Sequence, residues 1–141
     1  MIHTSLAPWL TVPDGHAAAA FYKAAFGVTE AYRLEAPDGA LVLRLALDGA
    51  EFWISGGPPG GGDSAAAGDA AGAGGLPVSA GAHATDCIRL ILTVADPDAV
   101  FINAMKAGAA SVFPVGESHG WRLGRLIDPF GIHWEIGRPL M

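Results

Sequence analysis

The chain has 141 residues and a formal net charge of -6, from 8 basic and 14 acidic side chains. A chain of this length can bury a core without disulfides or metals. Its basic residues are not clustered, which argues against nucleic-acid binding, and no apolar run reaches the roughly 18 residues that span a bilayer. A single cysteine, Cys87, and the lack of a basic-then-apolar leader predict a cytoplasmic protein.

The first part of the chain predicts one helix between extended segments. An extended run over 7–12 precedes Asp14, which can cap a helix over 15–26 that Gly27 is placed to end. Turn signals at Pro37-Asp38-Gly39 and Asp48-Gly49 then separate predicted strands. Those strands cover 28–35, 40–47 and 50–55.

Residues 56–84 have a different composition, because 19 of these 29 residues are Gly or Ala and none is Lys, Arg, Phe, Trp or Tyr. Such a segment has little apolar surface to bury in return for ordering its backbone. We interpret it as a flexible linker inside a single domain. It separates a first module of about 6–55 from a second of about 86–137.

The second module repeats the order of the first. An extended run over 88–94 precedes Asp96, a cap followed by Pro97 at the first helical position. Strands are predicted over 110–116, 121–127 and 132–137, and Asp128-Pro129-Phe130-Gly131 fits a type I turn between the last two. Leu10-Thr11-Val12 recurs as Leu92-Thr93-Val94, and Trp53 recurs as Trp134, 81 residues later. These anchors indicate duplication and predict that both tryptophans lie in the core.

Two stretches carry a resemblance to a known family. Leu10-Thr11-Val12-Pro13-Asp14 followed by Phe21-Tyr22-Lys23-Ala24-Ala25-Phe26-Gly27, and the ending Asp128 to Ile136, resemble PhnB-like proteins of the glyoxalase/bleomycin-resistance/dioxygenase (vicinal oxygen chelate) superfamily. The resemblance implies an α+β fold in which two βαβββ modules form cupped mixed sheets with the helices outside. It also implies a homodimer and a ligand held in the cup.

Metal-dependent members of that superfamily take their ligands from the first and last strand of each module. The repeat places those positions at Ala7, Ile54, Arg89 and Glu135. Of these four residues, only Glu135 has a side-chain atom that can coordinate a cation. Alanine and isoleucine have no such atom, and the guanidinium of arginine is cationic and only donates hydrogen bonds. We therefore predict no cofactor and no metal site, with a divalent metal held by a non-standard site as the alternative.

Strand alternation predicts what lines the cup instead. A mainly apolar wall with one cation, one anion and one imidazole suits a small organic ligand whose aromatic rings stack on Trp9 or Phe52. Arg89 and Glu135 either pair with each other, or Arg89 binds a ligand anion while Glu135 acts as a catalytic base. The predicted ligand-binding residues are Trp9, Thr11, Phe52, Ile54, Arg89, Ile91, His133 and Glu135.

The preferred functional hypothesis is a protein that binds a small organic molecule, without the usual metal. The alternative is a metal-dependent lyase, isomerase or dioxygenase of the same superfamily, so the sequence leaves open whether the chain is an enzyme. No nucleic acid or membrane is expected as a partner.

Overall fold

The computed structural model describes residues 2–60 and 88–141, which group into two compact units. Of the described residues, the first unit holds 2–23 and 27–60, and the second holds 24–26 and 88–141. Most of the predicted linker, residues 61–84, lies outside the described residues, as does Cys87. Residues 56 and 57 belong to a strand and not to the linker. The single-domain organisation stays a prediction.

The first part of the described chain follows the predicted order. Its elements are β1 (Trp9–Asp14), α1 (Gly15–Phe26), β2 (Thr29–Glu35), β3 (Leu41–Leu47) and β4 (Ala50–Gly57). The four strands form sheet 1 in the order β1-β4-β3-β2, in which β1 runs parallel to β4 and the other neighbours are antiparallel. The antiparallel strands β3 and β4 are joined by the tight turn at Asp48-Gly49, with both residues at positive φ.

The second part repeats this topology. Its elements are β5 (Arg89–Thr93), α2 (Pro97–Ala107), β6 (Ala110–Ser118), β7 (Trp121–Ile127) and β8 (His133–Pro139). They form sheet 2 in the order β5-β8-β7-β6, again with the first and last strands parallel. The predicted fold of two βαβββ modules is therefore confirmed. In the described residues no helix is long and apolar enough to cross a bilayer.

The predicted helix ends are also confirmed. Asp14 caps α1 by accepting from the N–H of Ala17 at 2.9 Å, and Asp96 caps α2 through Ala99 at 3.1 Å. Gly27 ends α1 in the left-handed region at φ 75°, where a side chain would be strained. These local signals are enough to locate the ends of both helices in the sequence.

The turn between β7 and β8 is held by Asp128, which is 3% exposed. The backbone N–H of Gly131 donates to the Asp128 carbonyl, as in a β-turn. The carboxylate accepts from the N–H groups of Phe130 and Ile132 and from Nε1 of Trp134, each at 2.9 Å. The Asp-Pro-Phe-Gly motif is therefore explained by structure and needs no chemical role.

In sheet 1 the side chains facing α1 form the core of the first unit. Leu43 and Leu45 of β3 are fully buried and pair directly with Ile54 and Phe52 of β4. The Phe52 ring meets Tyr22 of α1 edge-on at 5.2 Å. Each such aliphatic or aromatic side chain contributes roughly 1.5–3 kcal/mol by leaving water. The prediction that Phe52 and Ile54 face the cup is therefore wrong.

In β8 of sheet 2 the buried positions are the opposite of those that an 81-residue repeat of β4 implies. Trp134 is 3% exposed and pairs with fully buried Leu126, so its predicted place in the core is confirmed. Trp53, in contrast, is only half-buried and lies on the face away from α1, so its predicted core position is wrong.

A difference of one residue in turn length explains this asymmetry. In sheet 1, two residues separate the last pair, Leu47 and Ala50. In sheet 2, three residues separate Asp128 from Ile132. The carbonyl of Ile132 accepts a hydrogen bond from the backbone N–H of Asp128. The offset between the repeats is thus 81 between β3 and β7 and 82 between β4 and β8. A slip of one residue reverses every side chain on a strand, so Trp134 corresponds to Phe52 and Glu135 corresponds to Trp53.

Candidate functional site

The face of sheet 1 that points away from α1, its open face, carries a row of side chains across all four strands. Backbone register places Trp9 of β1 beside Trp53 of β4, Trp53 beside Arg44 of β3, and Arg44 beside Tyr32 of β2. The two indoles stack nearly parallel, at 11° and 5.5 Å between centroids. The Arg44 guanidinium lies 5.6 Å from the centroid of Trp53, and the Tyr32 ring lies 5.8 Å from it.

Two predicted ligand-binding residues lie on this open face. Trp9 is 53% exposed, and its indole N–H donates to Oγ of Ser55 at 2.9 Å. Thr11 pairs with Ser55 in the parallel register and is exposed. The hydrogen bond fixes the orientation of the exposed indole. A large aromatic ring held in one orientation in water is ready to stack on another ring.

The open face of sheet 2 carries the corresponding row with different chemistry. Ile91 of β5 pairs with Glu135 of β8, Glu135 with Arg125 of β7, and Arg125 with Phe113 of β6. An arginine therefore occupies the same place in both rows, beside an aromatic residue on the outer strand. The central position holds a carboxylate here and an indole in sheet 1.

The open face of sheet 2 contains a cavity of about 300 Å³. It is lined by Ile91, Trp121, Leu123, Glu135 and Gly137. Two of these, Ile91 and Glu135, are predicted ligand-binding residues. Gly137 brings the strands unusually close, because a Cβ at this position would lie 2.7 Å from the Cβ of Leu123. The cavity is apolar apart from one carboxylate.

Arg89 and Glu135 approach each other only loosely. The Arg89 Nε lies 3.5 Å from Oε2 of Glu135, and the side chains are 46% and 19% exposed. An ion pair with this exposure contributes little, typically below about 1 kcal/mol. The structure brings the two charges together, as one of the two sequence interpretations requires, but it leaves the Arg89 side chain almost half exposed.

His133 lies on the same strand and the same face as Glu135, and it contacts Arg125 of that face. Its side chain is buried, and Nδ1 lies 3.0 Å from Nη2 of Arg125. Because a guanidinium only donates, Nδ1 is the acceptor, which leaves the proton of a neutral ring on Nε2. The imidazole therefore helps to position Arg125.

The donor set does not fit the superfamily's metal. With the corrected register, the last-strand position in the first unit is Trp53 and not Ile54, and the first-strand position is Ala7. Neither has a coordinating atom. The second unit offers Arg89 and Glu135, hence one carboxylate. Residues 2–60 and 88–141 contain no group of three or more His, Cys, Asp or Glu side chains that could hold a metal ion.

Sequence reasoning missed several residues of these faces. Trp53 was assigned to the core, and Tyr32, Arg44, Trp121, Leu123 and Arg125 were not singled out. One signal was available: Arg44 and Arg125 are 81 residues apart, in the strands on which the repeat is most regular. A conserved offset for a charged residue inside an apolar strand could have indicated a functional position.

Comparison with known proteins identifies relatives by sequence. No protein-family model matches the chain. The uncharacterized protein Mb0911c of Mycobacterium bovis is 34% identical over 143 residues, which cover 99% of this chain and 86% of that protein. The uncharacterized protein Rv0887c of Mycobacterium tuberculosis is also 34% identical, over 99% of this chain and 76% of its own length.

Solved structures share the fold at lower identity. TioX from Micromonospora sp. ML1 has a TM-score of 0.66 at 20% identity, with 98% of this chain and all of TioX covered. A glyoxylase/bleomycin resistance protein/dioxygenase domain from Frankia sp. EAN1pec scores 0.64 at 18% identity, over 99% of both chains. TnmS3, an antibiotic binding protein from Streptomyces sp. CB03234, scores 0.57 at 19% identity, also over 99% of both. The chain thus belongs to the family of the mycobacterial proteins Mb0911c and Rv0887c, and it has the fold of the glyoxalase/bleomycin-resistance/dioxygenase superfamily.

Proposed function

We propose that this protein binds a small organic molecule in the cavity on the open face of sheet 2, without a metal. The observation that carries the proposal is the cavity itself. Its volume of about 300 Å³ lies at the lower end of the range for small-molecule sites, which are typically apolar with few polar groups. Ile91, Trp121 and Leu123 supply the apolar wall, and Glu135 supplies one acceptor.

The charges beside the cavity suggest how a ligand is oriented. Glu135 accepts a hydrogen bond from a hydroxyl or amine of the ligand, because an ionised carboxylate is an acceptor only. The Arg89 side chain, which is almost half exposed and lies beside Glu135, can bind a ligand oxygen. Polar groups that converge on an apolar cavity give orientation and specificity, while the apolar wall gives most of the affinity.

The fold supports binding without fixing the ligand, since one fold hosts many functions. The antibiotic-binding protein TnmS3 has the same fold, which makes small-molecule binding a reasonable expectation. We include in the proposal a PhnB-like relationship, a cytoplasmic location and a homodimer. Sedimentation analysis tests the homodimer, and a strict monomer at micromolar concentration would contradict it.

The experiment is a thermal-shift screen of small organic compounds against protein treated with a chelator. A binding compound is then titrated against two variants, Ile91→Glu and Ile102→Glu. Both isoleucines are more than half exposed in the second unit, so both variants should fold. Ile91 lines the cavity, whereas Ile102 lies on α2 away from it.

We expect Ile91→Glu to abolish the stabilisation, because it places a second carboxylate in the cavity. Ile102→Glu should bind like the native protein. Stabilisation that appears only after a divalent metal is added would contradict metal-independent binding. Equal binding by the two variants would show that the cavity is not the site.

A further inference from the structure

The cavity of sheet 2 lies over a row of the sheet that carries little side-chain bulk. In this row Gly137 of β8 pairs with Leu123 of β7, and Leu123 pairs with Gly116 of β6. Neither glycine has a side chain, and the space above Gly116 is open. The row is therefore low, and the cavity is bounded by the taller side chains on either side of it.

The walls on the two sides of this row differ in size and polarity. Because β7 and β8 are antiparallel, Trp121 and Glu135 lie on opposite sides of the row, each two residues before its member of the central pair. Ile91 pairs with Glu135 and completes the second wall. Of the five residues that line the cavity, only Glu135 is charged. An ionised carboxylate only accepts hydrogen bonds, so a ligand with one hydroxyl places it at Glu135 and its apolar end at Trp121.

The indole of Trp121 is a feature of sheet 2 and not a requirement of the fold. The corresponding residue of sheet 1, 81 positions earlier, is Ala40, just before β3. The opposite exchange occurs on the other wall, where Trp53 of sheet 1 corresponds to Glu135. Trp121 is only partly buried, so the core of the second unit does not depend on it. Its large side chain is therefore best explained by the cavity that it closes.

We propose that Trp121 sets the length of the ligand and that the ligand is a compact aliphatic alcohol. The inference rests on the function proposed for the cavity and specifies the ligand's class and size. Trp121 pairs with Pro139, four residues beyond Glu135 on β8, which places the two walls roughly 13 Å apart along the strand. Contact distances of about 3.5–4 Å at each end leave roughly 6 Å for the atoms of the ligand. An extended alkyl chain advances by about 1.3 Å per carbon, so a hydroxyl with about six carbons fills this length.

The experiment measures binding of the 1-alkanols from butanol to decanol by calorimetry. In the native protein, affinity should rise roughly fourfold with each methylene that the apolar wall buries, and it should stop rising near 1-hexanol. The methyl ether of 1-hexanol has no donor for Glu135 and should bind roughly tenfold more weakly than the alcohol.

Substitution of the end wall should move this limit. Trp121→Ala should let affinity rise for about three more carbons, and Trp121→Leu for about one, because the smaller side chains leave space that the longer alcohols fill. A gain in affinity for long alcohols is not a consequence of general destabilisation. Ile102→Ala, a large-to-small change on the exposed side of α2, is the control and should keep the limit near 1-hexanol. Urea unfolding checks that each variant folds.

The outcomes separate this inference from the function on which it rests. If the native protein shows no limit, or if the limit is the same in Trp121→Ala, the inference is overturned while the cavity remains the site. It is also overturned if no alkanol binds at its solubility limit, and the thermal-shift screen then decides the proposed function independently. If alkanols bind and Ile91→Glu leaves their affinity unchanged, the cavity is not the site and both proposals fail.

Discussion

Two tryptophans in corresponding strands should respond very differently to the same substitution. Trp134 is 3% exposed, and its indole N–H donates to Asp128 at 2.9 Å. Truncating a buried aromatic residue to alanine costs about 3–5 kcal/mol. Leucine refills part of that space, but the lost hydrogen bond to a buried carboxylate adds about 1–3 kcal/mol. We therefore expect Trp134→Leu to lower the free energy of unfolding by about 3–5 kcal/mol.

Trp53→Leu is the matched control, because Trp53 lies half-buried on the open face of sheet 1. It loses one stacked pair with Trp9 and its contact with Arg44. An aromatic pair contributes about 0.5–1.5 kcal/mol beyond the area it buries, so the expected loss is below about 1.5 kcal/mol. Urea unfolding followed by far-UV circular dichroism measures both. Comparable losses, or a larger one for Trp53→Leu, would refute the assigned register of β4 and β8.

Three further substitutions test the structure elsewhere. Asp128→Ala should lower the free energy of unfolding by about 2–4 kcal/mol, since three N–H donors lose their acceptor. For a chain of this size such a loss lowers the melting temperature by several degrees, so a decrease of less than about 2 °C would contradict the prediction. Gly137→Ala should cost about 1–3 kcal/mol because its Cβ meets the neighbouring strand, whereas Gly116→Ala, with open space around it, should be nearly neutral. Backbone hydrogen bonds, chiefly from Gly60, hold the pKa of Asp14 below its usual 3.8, so its stabilisation is present above about pH 4 and is lost as the pH falls through the lower folded-state pKa. Asp14→Ala should therefore cost about 1 kcal/mol at pH 7, and the difference from the native protein should shrink in acid.

The local signals of the sequence determined the elements of the fold. Asp14 and Asp96 define the starts of the helices, and glycines define their ends, because caps and left-handed residues act within a few residues of chain. The strand 121–127 was predicted with its observed bounds, and the others within a few residues. Repetition of these signals was enough to predict two modules of the same topology.

The predicted orientation of the site residues is correct on some strands and wrong on β4. Arg89, Ile91, His133 and Glu135 lie on the open face of sheet 2, and Trp9 and Thr11 lie on that of sheet 1. Phe52 and Ile54 point the other way, because β4 was placed from the tryptophan repeat and not from its pairing with β3. Their roles as ligand-binding residues are therefore set aside, whereas those of the six open-face residues remain predictions.

The sequence by itself determined which residues form helices and strands, that the unit is duplicated, and that few metal-coordinating side chains stand at the superfamily's ligand positions. Only the tertiary structure decided which face of β4 is buried, and hence that an indole stack and an arginine share the open face of sheet 1. The physical reason is that strand side chains alternate with a period of two. One additional residue in a turn, which leaves every local propensity unchanged, is enough to exchange the core and the open face.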